Sequence, residues 1–92
     1  MKQNAIKYYV ENGKPEVVMD QNTARETRIV IDAYIAGVSN TTYTEETKKM
    51  LIAEYIINGF LRDDTSKSMA KSWPGVLTFL QAVEDKTDEL LK

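Results

Sequence analysis

The chain contains no cysteine and no histidine among its 92 residues. Their absence excludes disulfide stapling, thiol nucleophiles and the usual zinc and haem ligand sets, and it removes the side chain that most often moves protons near neutral pH. Catalysis would have to rest on carboxylates, Lys, Tyr or Ser, and no acid, base and nucleophile with a recognisable spacing can be named. Glycine is scarce: the four Gly residues stand apart from one another, so there is no glycine-rich loop to cradle a phosphate. Long apolar runs are also missing. The longest candidate, Ile29 to Val38, is broken by Asp32 and is too short to cross a bilayer. Met1-Lys2-Gln3-Asn4 leads into Ala5-Ile6-Lys7-Tyr8 without the apolar centre of a secretory signal, so the expected location is cytoplasmic. No charge of one sign dominates. The 14 acidic and 12 basic residues are interspersed and leave a net charge of −2, which suits neither a generic phosphate-binding surface nor a nucleic-acid mimic.

What remains is an ordinary globular composition, with 42% hydrophobic residues, on a length suited to one domain over 1–92. A chain this short buries only roughly 60–65% of its unfolded surface, which makes for modest stability. With disulfides and the usual metal ligands excluded, self-association is the reinforcement still open to it.

Asn12-Gly13 sits between two apolar stretches. Read as a type I′ turn, it pairs Val10 with Pro15, Tyr8 with Val17 and Ile6 with Met19. One face is then apolar, and the other carries Lys7, Tyr9, Glu11, Lys14, Glu16 and Val18. Pro15 falls at a non-hydrogen-bonded site, where its missing N–H costs no ladder bond. The alternative is a short helix over Ala5 to Asn12 stopped by Gly13, giving an all-α bundle. The β-branched run Val17-Val18-Met19 tips the reading to the hairpin.

Thr23-Ala24-Arg25-Glu26 has the capping-box pattern, predicting a helix from there to about Ala36. Its main apolar face gathers Ala24, Val30, Ile31, Tyr34, Ile35 and Val38, and a thinner strip holds Ile29, Ala33 and Ala36. Thr42 or Thr44 can cap a second helix over about Glu45 to Leu61, the most apolar element, which belongs in a bundle centre or at an interface. Arg62 to Ser72 reads as a loop with a short helix. Ser72-Trp73-Pro74 opens a final helix, with Val76, Phe79, Leu80, Val83, Leu90 and Leu91 on one face and Gln81, Glu84, Asp85 and Asp88 opposite. The expected fold class is therefore α+β and mainly helical, an N-terminal β-hairpin packed on three main helices.

Two acidic groups invite a metal reading and fail it. Asp63-Asp64-Thr65-Ser66 lacks the alternating acids, turn glycine and closing glutamate of a calcium loop, and reads as a helix cap. Glu84, Asp85, Asp88 and Glu89 spread around a helix as a solvated face. No metal and no cofactor is expected. A strand leading into two helices, with Arg25 and Arg28 nearby, resembles the ribbon-helix-helix regulators over less than half the chain. That resemblance implies the alternative function, a small nucleic-acid-binding regulator. The five tyrosines could stack bases, but Glu11 and Glu16 cancel Lys7 and Lys14 where a basic groove would be needed.

The candidate interface residues are Arg25, Arg28, Ile29, Asp32, Ala33, Ala36 and Trp73: small and apolar side chains flanked by charges, and one large aromatic anchor. As plain structure, the same residues would be the rim of a helix beneath the hairpin and a core plug. The expected function is a non-enzymatic protein-binding or assembly component, with an accessory or inhibitor protein of a virus or mobile element as the expected genre. The expected partner is another protein chain, a second copy of this one foremost. Nucleic acid is disfavoured and no membrane is expected.

Overall fold

A computed structural model describes residues 5–38, 42–72 and 74–92. An antiparallel hairpin, β1 (Lys7–Glu11) and β2 (Lys14–Val18), is followed by α1 (Gln21–Val38), α2 (Glu45–Phe60), α3 (Asp64–Ser72) and α4 (Val76–Leu90). The class is α+β and mainly helical, and the hairpin displaces the all-helical alternative. Asn12 at φ 54° and Gly13 at φ 76° form the turn, the backbone pair a type I′ hairpin requires. The expected pairs Tyr8–Val17 and Val10–Pro15 are present. Tyr8 and Val17 are buried on one face, with Val10 and Pro15 half-buried, while Lys7, Tyr9, Glu11, Lys14, Glu16 and Val18 are exposed on the other.

The expected Ile6–Met19 pair does not form part of the ladder. Ile6 instead bridges in parallel to Leu61, its N–H donating to the Phe60 carbonyl at 2.9 Å. The end of α2 leaves a carbonyl without an intrahelical donor, and the Ile6 N–H satisfies it. The hairpin rests on α3 through β1 and on α4 through β2.

Helix starts follow their caps. α1 begins at Gln21, earlier than the Thr23-Glu26 pattern predicts, because Asp20 is the capping residue: the Thr23 N–H donates to its Oδ1 at 2.7 Å. Thr23 is thereby one turn inside the helix and buried. α2 is capped by Thr44, whose hydroxyl accepts from the Thr47 N–H at 3.1 Å. Asp63 caps α3, accepting from the Ser66 N–H at 2.9 Å. α4 starts at Val76 after an N-cap Gly75 at φ 146°, so Pro74 stands outside the helix and not in its first turn.

One cluster of buried apolar side chains joins the hairpin to all four helices: Ile6, Tyr8, Val17 and Met19 from the N-terminal segment meet Ile31, Ile52, Ile56, Ile57, Leu61, Ala70, Phe79, Leu80 and Val83. Tyr8 meets Phe79 edge-on at 4.9 Å between ring centroids, a favoured aromatic geometry. Among the described residues, no helix is long and apolar enough to cross a membrane.

Candidate functional site

α1 lies against α2 and α4 and not beneath the hairpin, which decides what its sides can do. Its buried stripe is Thr23, Ala24, Thr27 and Ile31. Thr27 sinks because its hydroxyl donates to the Thr23 carbonyl at 2.8 Å, meeting its polar need locally and leaving a methyl to pack. With the stripe turned this way, Ile35 is not on the expected core face and stands 47% exposed, and Ile29 is 61% exposed.

Ile29 and Ala33 form one wall of a hollow of about 320 Å³ completed by Val30, Tyr34 and Tyr55. Tyr34 and Tyr55 hold the α1–α2 seam by an edge contact at 5.8 Å between centroids, while Tyr55 remains 51% exposed. Helix spacing thus brings Ile29 and Ala33 into one apolar face, with Ala36 exposed further along the same strip. Tyr55, the lining residue contributed by α2, is absent from the expected interface set. Its signal was the neighbouring Glu54, which shares the outward side of α2.

The charges divide differently. Arg28 is drawn to the far side of α1, where its guanidinium pairs with Asp88 of α4. Arg25 donates a long 3.5 Å bond to Gln21, whose amide donates to the Leu90 carbonyl at 3.0 Å and ties α1 to the end of α4. Asp32 is exposed. Trp73 lies outside the described residues. Near Arg28, burial pushes the half-buried Glu84 carboxyl up, against the opposing pull of Lys49 and Arg28.

For chemistry the surface offers little. No group of three or more acidic side chains is placed to hold a metal ion among the described residues. The Asp63 carboxyl, read from sequence as a cap, is held below the usual carboxylate range by the Ser66 backbone and side-chain hydrogen bonds. The chain matches no protein-family model, no curated protein and no solved structure with which it was compared.

Proposed function

We propose that the chain is a non-enzymatic assembly component whose docking surface is the α1–α2 face, and that the occupant is a second copy of the same chain. The observation that carries the reading is Ile29, 61% exposed at the edge of an apolar hollow that a tyrosine from the neighbouring helix completes. Covering the part of Ile29 still exposed contributes about 1–2 kcal/mol, and a second helix laid there covers Ile29, Ala33 and Tyr55 together.

The charges favour a copy over an unrelated chain. Arg25 and Asp32 are seven residues apart, so they share one edge of α1, about 10 Å apart along its axis and flanking Ile29. Two α1 helices packed antiparallel about a two-fold axis near Ile29 set Arg25 of each copy opposite Asp32 of the other. The surface is self-complementary, as an isologous interface requires. Nucleic acid draws less support, since the Arg28 guanidinium is already committed to Asp88.

Light scattering across a concentration series tests this. The wild type is expected to double in mass, and Ile29→Glu to stay monomeric. Arg25→Asp and Asp32→Arg each weaken association about five- to thirtyfold by placing two like-charge pairs in the interface, and the double reversal restores it. A wild type that remains monomeric at millimolar concentration overturns the proposal. A dimer indifferent to the charge reversals leaves assembly standing and removes the antiparallel arrangement.

A further inference from the structure

The two edges of the hairpin are not equivalent. Strand pairing alternates from the turn, and Val10–Pro15 and Tyr8–Val17 are the non-hydrogen-bonded pairs. The backbone N–H and C=O of Tyr8 and Val17 therefore point away from the opposite strand. On the β1 side these groups meet protein: the Tyr8 N–H donates to Ser66 Oγ at 3.0 Å and the Ile6 N–H to the Phe60 carbonyl. On the β2 side, no hydrogen bond among the described residues meets the outward N–H and C=O of Val17 or the Pro15 carbonyl. Backbone groups left so on a largely buried residue are costly unless a partner arrives.

Beside that open edge runs a groove of about 440 Å³ between β2 and α4. Pro15, Val17, Leu77 and Ala82 give it an apolar floor, and Glu16, Asp85 and Glu89 line it against a single cation, Lys86. Lys86 is paired with Glu89 at 3.8 Å, so the unbalanced charge comes from Glu16 and Asp85. An open strand edge above a helix is the arrangement by which a sheet accepts an extended peptide: main-chain bonds hold it, and alternate side chains choose it.

We propose that this groove takes an extended, basic segment of another protein, added as a third strand on the open edge of β2. Apolar side chains of the segment would face Val17 and Leu77, Lys or Arg at the alternate positions would meet Glu16 on the exposed face of the hairpin, and the charge of Asp85 on α4 would add to the attraction. None of the groove residues belongs to the α1–α2 face, so the two surfaces can be occupied together.

The test is a titration of the full-length, ¹⁵N-labelled chain, followed by NMR, with an acetylated and amidated hexapeptide alternating lysine and valine. The proposal expects saturable shifts at the Val17 and Met19 amides. Glu16→Lys and Asp85→Lys should each raise Kd about fivefold at low salt while leaving the spectrum otherwise folded. A glutamate–valine hexapeptide and a lysine–valine peptide N-methylated at every backbone amide should shift neither amide. Equal binding by either control overturns the proposal, as does silence at millimolar peptide. Movement of the same amides with protein concentration alone also overturns it, because a second copy would then occupy the edge.

Discussion

Replacing Tyr8 by Phe should stabilise this protein. Tyr8 is 1% exposed, and its hydroxyl is buried with no hydrogen-bond partner among the described residues. A buried hydroxyl without a partner costs about 1–3 kcal/mol relative to water. Phenylalanine removes that cost and retains the edge contact with Phe79, losing only the dispersion contacts of one oxygen, a few tenths of a kcal/mol. The net expectation is a gain of about 1–2 kcal/mol, with roughly 4–8 °C in Tm for each kcal/mol in a domain of this size. The alkaline limb provides a second readout. Burial raises the Tyr8 pKa above 10.0, so the folded state holds a proton that the unfolded chain releases. The stability linked to this group is complete below about pH 10 and is lost as pH rises toward the raised folded value, with a slope of up to about 1.4 kcal/mol per pH unit. Tyr8→Phe lacks that loss, so its advantage should widen between pH 9.5 and 11.5. Urea denaturation of both proteins at pH 7 and across that range measures both effects. A variant less stable by 1 kcal/mol or more at pH 7 would refute the reasoning, because it would show that the hydroxyl has a partner.

Asp63→Ala should cost about 0.5–2 kcal/mol by uncapping α3. Because the Asp63 pKa is lowered in the folded state, its contribution is present above the ordinary carboxylate pKa and lost as pH falls through the lowered value; wild type and variant should converge in acid melts, and a gap unchanged down to pH 2 would contradict this. Gly75→Ala should destabilise by about 1–3 kcal/mol in thermal melts, since Gly75 sits at φ 146° with open space where the new Cβ would go, leaving backbone strain as the cost. Gly59→Ala, inside α2 and equally uncrowded, should have the opposite sign, a gain of about 0.5–1 kcal/mol.

The hairpin was legible once the Val17-Val18-Met19 run tipped the reading away from a short helix, because Asn12-Gly13 then dictates one turn type, and that turn fixes the pairs as far as Tyr8–Val17. The α1 face was less so. A helical wheel counts threonine as polar, yet Thr23, Thr27 and Thr87 are all buried. Thr27 bonds to its own helix, and Thr87 directs its hydroxyl to the Met19 sulfur at 4.0 Å. Counting them as core turns the buried stripe and moves Ile35 into the open, whereas Ile29, on the thinner strip, was already legible as an interface candidate. The charges flanking it were legible as residue types but not as pairs, since the Arg28–Asp88 ion pair joins positions 60 apart. The helix starts were misplaced where two residues competed to cap: Asp20 outdoes Thr23, and Gly75 takes the position expected near Pro74. The β2–α4 groove had no sequence signal, because it exists only once β2 lies across α4.

The docking of β1 also has a consequence during synthesis. The hairpin is complete within the first eighteen residues, but Tyr8 closes onto Ser66, 58 positions later, and onto Phe79 beyond it. Chains grow at about 5–20 residues per second, and a hairpin forms in about 1–10 μs. The finished hairpin would therefore wait roughly 3–12 s with Ile6, Tyr8 and Val17 facing water until α4 emerges. For this chain the vulnerable interval is the one between synthesis of the hairpin and synthesis of α4, and it is the nascent hairpin, not the folded domain, that most needs shielding from its neighbours.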